Sequence, residues 1–277
     1  MKRCCIASCL GLALVLMAAC SAAGASEMPR RIVSINLCTD QYLLALAAPE
    51  QILALSPYAH DARVSFYAER ARRHRLVEDD AESVLALKPD IVFASVYNRP
   101  ETLARLRRAG IRIVTLEEIG TLARIPGQIR SVGALLGHVE AAEALALQFE
   151  AALGETAGRL RAANLRALYY ERGGYTPGAS GLVHDMLRHV GLRSAAGEAA
   201  MDAPRFLDIE AVLALRPDLL VMAEHGQAGD QGAAMLAHPA LVRLYADDRR
   251  LTLPVRETIC AGPSAMAAVK RLAPPAP

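Results

Sequence analysis

Ser83-Val84-Leu85-Ala86-Leu87-Lys88-Pro89-Asp90-Ile91-Val92 returns 128 residues further on as Ala211-Val212-Leu213-Ala214-Leu215-Arg216-Pro217-Asp218-Leu219-Leu220, Ser83 aligning with Ala211. The match extends backwards, Asp80 with Asp208 and Glu82 with Glu210. An internal repeat of this length points to duplicated architecture. Each copy reads as a helix followed by a buried strand. The Asp suits a helix N-cap, because its carboxylate can accept from the free N–H groups of the first turn. The Pro is expected to stop the helix, because it lacks an N–H and clashes with the preceding turn. The apolar run after Pro-Asp is short and does not alternate, as in a parallel strand covered on both faces.

Working outward, the flanks repeat more loosely. Arg31-Ile32-Val33-Ser34-Ile35 opens the first half as a strand, and Arg166-Ala167-Leu168-Tyr169-Tyr170 opens the second. Ala109-Gly110-Ile111-Arg112-Ile113-Val114 reads as a helix end, a glycine cap and a third strand, with Arg249-Arg250-Leu251-Thr252-Leu253 as its counterpart. Strands alternating with helices predict α/β lobes with mostly parallel sheets. Between the halves, 139–163 holds no Pro and is rich in Ala, Leu, Glu and Arg. Ala142, Leu145, Phe149 and Leu153 fall at helical spacing. Gly154 and Gly158 weaken the pattern without ending it. The segment predicts one connecting helix of roughly 37 Å at ~1.5 Å per residue. A rigid helical joint predicts small lobe motions rather than a wide clamshell swing. The organisation expected is a signal segment over 1–25, an N-terminal α/β lobe over 26–138, the helix over 139–163 and a C-terminal α/β lobe over 164–277.

The N-terminus supports export. Lys2 and Arg3 precede an apolar run from Ile6 to Ala19, too short to span a bilayer comfortably. Ala23-Gly24-Ala25 fits ordinary signal cleavage; Met17-Ala18-Ala19-Cys20 fits lipoprotein cleavage with acylation of Cys20. The product is periplasmic, either free or tethered by lipid. Beyond that segment only Cys38 and Cys260 remain, and they meet an oxidising compartment. A net charge of +2 gives no reason to expect nucleic acid or a membrane surface as partner.

Together these features resemble the helical-backbone class of bacterial solute-binding proteins for cobalamin, iron–siderophore and haem uptake. The resemblance rests on Arg31-Ile32-Val33-Ser34-Ile35-Asn36-Leu37-Cys38-Thr39-Asp40, both Leu-Lys/Arg-Pro-Asp copies, the middle helix and the Tyr175-Thr176-Pro177-Gly178-Ala179-Ser180-Gly181 turn. It runs from about Arg31 nearly to the C-terminus. It implies two lobes with a ligand cleft between them, a metal chelate as cargo and no intrinsic cofactor. It also implies a monomer that hands its cargo to the permease of an ABC importer. Glu82 and Glu210 match the acidic positions with which each lobe of such proteins docks on basic permease residues. Each Glu would also complement its helix dipole, worth ~0.3–1 kcal/mol.

Open parallel sheets bind ligands beyond the carboxyl ends of their strands. The segments expected there are 36–40, 56–61, 95–99, 171–178, 224–227 and 256–264. Tyr58, Tyr97 and Tyr175 offer flat apolar faces with a hydroxyl, suited to a macrocycle or an aromatic siderophore, or to ferric iron. Arg99 and Arg256 are candidates for anionic groups of a chelate, with Arg172 and Arg205 behind them. His225 could ligate an axial metal position, as could His60; either could equally be an ordinary hydrogen-bonded histidine. Cys38 and Cys260 leave three readings: a disulfide across the cleft, ligands to a soft metal, or two separate buried thiols. The chain has no Trp, whereas corrinoids are often held between tryptophans in proteins of this class. A catalytic alternative is an exported metallochaperone or a chelatase-like enzyme acting on a tetrapyrrole. No nucleophile elbow, His-Glu-x-x-His or phosphate loop supports it.

Overall fold

The computed structural model describes residues 28–224 and 231–273. The first lobe runs β1 (Ile32–Ser34), α1 (Leu37–Leu46), β2 (Ile52–Leu55), α2 (Ala68–Ala71), β3 (Arg75–Leu76), α3 (Ala81–Ala86), β4 (Ile91–Ser95), α4 (Pro100–Arg108), β5 (Arg112–Leu116) and α5 (Ile125–Leu136). Next comes α6 (Val139–Thr156). The second lobe runs β6 (Arg166–Tyr170), β7 (Tyr175–Thr176), α7 (Gly181–His189), β8 (Arg193–Ser194), α8 (Ala195–Glu198), β9 (Arg205–Phe206), α9 (Ile209–Leu215) and β10 (Leu219–Glu224). It closes with α10 (Gln231–Leu236), α11 (Pro239–Leu244), β11 (Arg250–Pro254), α12 (Val255–Thr258) and α13 (Ala265–Leu272).

The first sheet has order β3-β2-β1-β4-β5 and every pairing is parallel. The second has order β11-β10-β6-β8, again parallel. A small antiparallel ribbon, β7 with β9, stands apart from it. The unalternating strands bury both faces, as their sequence predicts. In β4, Ile91 and Phe93 enter one core while Val92 and Ala94 enter another. In β10, Val221 and Ala223 separate from Leu220 and Met222 in the same way. The larger of these cores continues from one lobe into the other, joining Phe93 and Val132 to Phe149, Tyr169 and Val269.

The repeat is the same device built twice. Asp80 caps α3 by accepting from Ser83 N–H at 2.8 Å, and Asp208 caps α9 through Ala211 N–H at 2.7 Å. The helices stop before the prolines do their work: the residue ahead of each Pro swings left-handed, Lys88 with φ 49° and Arg216 with φ 45°. A proline disfavours α geometry in the residue before it, so the stop falls one position earlier than the ring itself. The arginine that opens the neighbouring strand then closes the helix end. Arg31 donates to the Lys88 carbonyl at 2.8 Å, and Arg166 donates to the carbonyls of Leu215 and Arg216 at 3.1 and 3.0 Å. The repeated Asp completes the clasp. Asp90 accepts from Arg31 N–H at 3.0 Å and Asp218 from Arg166 N–H at 2.8 Å.

The connecting helix is shorter than 139–163. It ends at Thr156, giving about 27 Å for its 18 residues. Gly158, with φ 66°, turns the chain aside. Its N–H donates to the His189 carbonyl at 2.7 Å, and Leu160 N–H to the Val190 carbonyl at 2.8 Å. The end of α7 thus captures N–H groups that would have continued α6. Ala142, Ala146, Phe149 and Ala152 form its buried face. Gly133 of α5 lies where any Cβ would collide with the Ala142 methyl, so the two helices approach closely.

Candidate functional site

In the first sheet the strand order reverses between β1 and β4, which leaves a crevice beyond their carboxyl ends. A cavity of about 1090 Å³ opens there. Asn36 to Thr39 line it from the β1 end, and Ser95 to Arg99 from the β4 end. Ile259 and Ala261 of the second lobe close one side, so the cavity lies where the lobes meet.

Asn98 organises this rim. It is buried, and its Oδ1 accepts from Ser95 N–H at 2.8 Å. Its Nδ2 donates to the Ile35 carbonyl at 2.8 Å and to Asp79 Oδ2 at 3.0 Å. One side chain therefore ties the loops after β1, β3 and β4. With that loop fixed, the neighbouring Tyr97 projects outward and is 73% exposed. Its hydroxyl bonds to Glu118, which raises the phenol pKa. Tyr58 lines the cavity and is 61% exposed. On the second lobe Tyr175 packs edge-on against Phe206, ring centres 5.7 Å apart, and Phe206 is 74% exposed. Exposed aromatic rings gathered at one concave surface, unlike scattered single ones, mark a place where a ligand can be received.

Cys38 and Cys260 form a disulfide with Cα atoms 5.3 Å apart. This corrects their placement as ligand-binding thiols: both sulfurs are used in the bond. Cys38 still contributes to the cavity wall. The bond lies in a seam between the lobes. The Tyr42 hydroxyl is 2.5 Å from Gln128 Oε1 and 3.0 Å from the Ala261 carbonyl, and Ser264 N–H approaches Gln41 Oε1 at 3.4 Å. Leu122 N–H donates to Asp185 Oδ2 at 2.8 Å. Arg256 also belongs to this seam and not to the cavity. It donates to the Ala62 carbonyl at 3.2 Å, a partner 194 residues away that no local pattern reveals.

The other expected residues fall as follows. Arg99 lines the cavity at the N-cap of α4 and is exposed. His60 donates or shares its Nε2 with the carbonyls of Ala71 and His74, both at 3.0 Å, and so acts as a loop tie. Arg172 and Arg205 are exposed and do not line the cavity. Glu82 and Glu210 stand exposed in the first turns of α3 and α9. Glu82 pairs with Arg105 at 2.9 Å. His225, Cys20 and the signal segment lie outside the described residues.

The carboxylates around the cavity were missed in the sequence. Glu78, Asp79 and Asp80 line it beyond β3, and Glu117 and Glu118 beyond β5. The signal was available, since both runs follow strands in the first lobe. Asp79 Oδ1 is buried and takes no hydrogen bond from any described residue. Glu117 pairs with Arg124 at 2.8 Å. Beneath them Asp40 is fully buried. It accepts from Ser56 Oγ at 2.5 Å and Ser56 N–H at 3.2 Å, yet burial still pushes its pKa up to about 7. Among the described residues no cluster of three or more His, Cys, Asp or Glu has the geometry to hold a bare metal ion.

Comparison with known proteins places the arrangement. Residues 32–246 match the family described as periplasmic binding protein. A cobalamin-binding protein of Halobacterium salinarum is 24% identical over 225 residues, covering 77% of this chain and 59% of its own length. A vitamin B12-binding protein of Pectobacterium atrosepticum is 31% identical over 141 residues, covering 49% of this chain and 47% of its own length. The chain thus spans roughly half to three fifths of these curated relatives. A periplasmic haem-binding protein from Roseiflexus sp. RS-1 superposes with a TM-score of 0.71 at 26% identity, covering 88% of this chain and 96% of that one.

Proposed function

The chain belongs to the periplasmic binding protein family, and on that premise we propose that it captures a metal chelate between its lobes and delivers it to an ABC permease. The chelate is of the cobalamin, haem or iron–siderophore class. The observation that carries this reading is an inter-lobe cavity lined by the exposed rings of Tyr58 and Tyr97; on the second lobe the half-buried Tyr175 and the exposed Phe206 form an aromatic pair that is not part of the cavity lining. Flat exposed rings suit a broad planar or shell-like ligand, and their phenol hydroxyls offer hydrogen bonds that orient it. Relatives named for cobalamin and haem binding support the same class. The metal travels inside its chelate; the protein supplies the faces that grip it.

The protein works as an exported periplasmic monomer that binds and releases its ligand unchanged. Among the described residues no helix is long and apolar enough to cross a membrane. Glu82 and Glu210 dock the two lobes on basic permease residues, one from each copy of the repeat. The Arg105 partner does not hold Glu82 back, since an exposed ion pair is worth only ~0–1 kcal/mol.

Calorimetric titration of the processed protein with cyanocobalamin, haemin and ferric siderophores tests the reading. It predicts saturable one-to-one binding of one class at submicromolar Kd, with the ligand recovered intact. A folded protein that binds none of them refutes it. Docking is tested separately in proteoliposomes holding the cognate importer. Glu82→Lys with Glu210→Lys should leave binding unchanged and abolish uptake; unchanged uptake sinks the docking role.

A further inference from the structure

The cavity has a sign. Glu78, Asp79, Asp80, Glu117 and Glu118 line it, and Arg99 is the one basic residue of its lining among the described residues. Arg124 offsets Glu117 alone. Glu118 hydrogen-bonds the Tyr97 hydroxyl, and both line the cavity. Asp79 is anchored by Asn98 through one oxygen, while the other takes no hydrogen bond from any described residue. Glu78 is exposed at the cavity edge. Carboxylates focused by a partly apolar concave wall repel anions more strongly than the same charges on an open surface. Among the described residues, the second lobe contributes Ile259 and Ala261 to the cavity lining, and neither carries charge.

We infer that this cavity selects a chelate with no net negative charge, one whose rim presents amide or ammonium hydrogen-bond donors. The inference rests on the proposed chelate-binding role and narrows it. An uncharged carboxamide-rimmed corrinoid, or a cationic ferric hydroxamate, meets acceptor carboxylates with donors. A dianionic porphyrin or a trianionic ferric catecholate brings like charge to the same wall. The carboxylates set selectivity within a site that the aromatic faces define; they do not form a site of their own.

The test is competitive titration at low and high salt. The probes are cyanocobalamin, a cationic ferric trihydroxamate, haemin and a ferric tris-catecholate. The uncharged or cationic probe should bind at least about tenfold tighter than either anion in wild type. Added salt should shrink that gap. Glu78→Gln with Glu118→Gln should narrow it by about threefold or more, because both changes remove charge at exposed positions. The carboxamide of Glu118→Gln still accepts from Tyr97, so the aromatic wall keeps its shape. Tighter binding of an anionic chelate by wild type overturns the inference and leaves the chelate-binding role intact. So does a gap that neither salt nor the double variant moves. Failure of every probe to bind sinks the proposed function itself, and the inference with it.

Discussion

At the residue scale, Asp40 offers the sharpest pH test. Burial disfavours the Asp40 carboxylate and raises its folded pKa from the ordinary 3.8 to about 7. The folded state therefore holds the proton more tightly than the unfolded chain. The Asp40 contribution to stability is full below about pH 4, declines as pH rises, and is gone above about pH 7. Asp61, Asp80 and Glu198, whose pKa values are lowered by their partners, act in the opposite sense. The difference between wild type and Asp40→Asn isolates the effect. Wild type should lose stability relative to the variant between pH 4 and 7, by a few kcal/mol in total. A difference in urea-unfolding free energy that stays flat across that range would show that Asp40 titrates normally. Asn98 gives a second residue-level expectation. Asn98→Ala strands the Ser95 N–H and loosens Asp79, at about 1–3 kcal/mol in the same unfolding assay. Chelate affinity should fall with it. Residues such as these were only partly legible. The placement of Tyr58 and Tyr97 on the cavity was readable because both follow strands. Arg256 was not, because its partner is a carbonyl in the other lobe.

At the scale of elements, the duplicated helix–strand unit was readable almost whole. Caps, strands and the pairing of Arg31 with Arg166 all lie in local pattern. What stayed hidden was how the unit ends, because the clasp depends on a neighbouring strand. Asp218→Ala should cost about 1–2 kcal/mol by freeing the Arg166 N–H, measured as a lower urea midpoint at unchanged slope. The same logic explains the misjudged end of α6. Gly158 marks a stop only because the α7 carbonyls stand ready to receive its N–H and that of Leu160, and those carbonyls lie far along the chain. Helix contact supplies another test. Gly133→Ala should destabilise by about 1–3 kcal/mol through overpacking against Ala142. A neutral result would mean that α5 and α6 can separate without loss.

At the scale of the whole molecule, the lobes are pinned as well as joined. The larger core runs through α5 and α6, and the Cys38–Cys260 bond closes a span of 222 residues at the cleft. Loop-closure entropy for such a span is about 5 kcal/mol, an upper figure that residual structure in the unfolded chain reduces. Cys38→Ser with Cys260→Ser should lower unfolding free energy by about 2–5 kcal/mol, and added reductant should do the same to wild type but not to the variant. The sequence left three roles open for these cysteines, because two thiols so far apart in the chain carry no information about their separation in space. A covalent tie at the seam also limits how far the lobes can part. On the proposed role, ligand entry would depend on small rearrangements of the cavity loops that carry Tyr58 and Tyr97.

The central claim is that a chelate is gripped between aromatic faces of the two lobes. With no Trp in the chain, intrinsic emission comes from its eight tyrosines, Tyr58 and Tyr97 of the cavity among them. Cyanocobalamin titrated into the processed protein, with correction for its absorbance, should quench that emission saturably at submicromolar concentration. In Tyr97→Ala with Phe206→Ala, apparent affinity should fall by about tenfold or more. Saturable quenching with equal affinity in wild type and variant would place the ligand elsewhere and contradict the account.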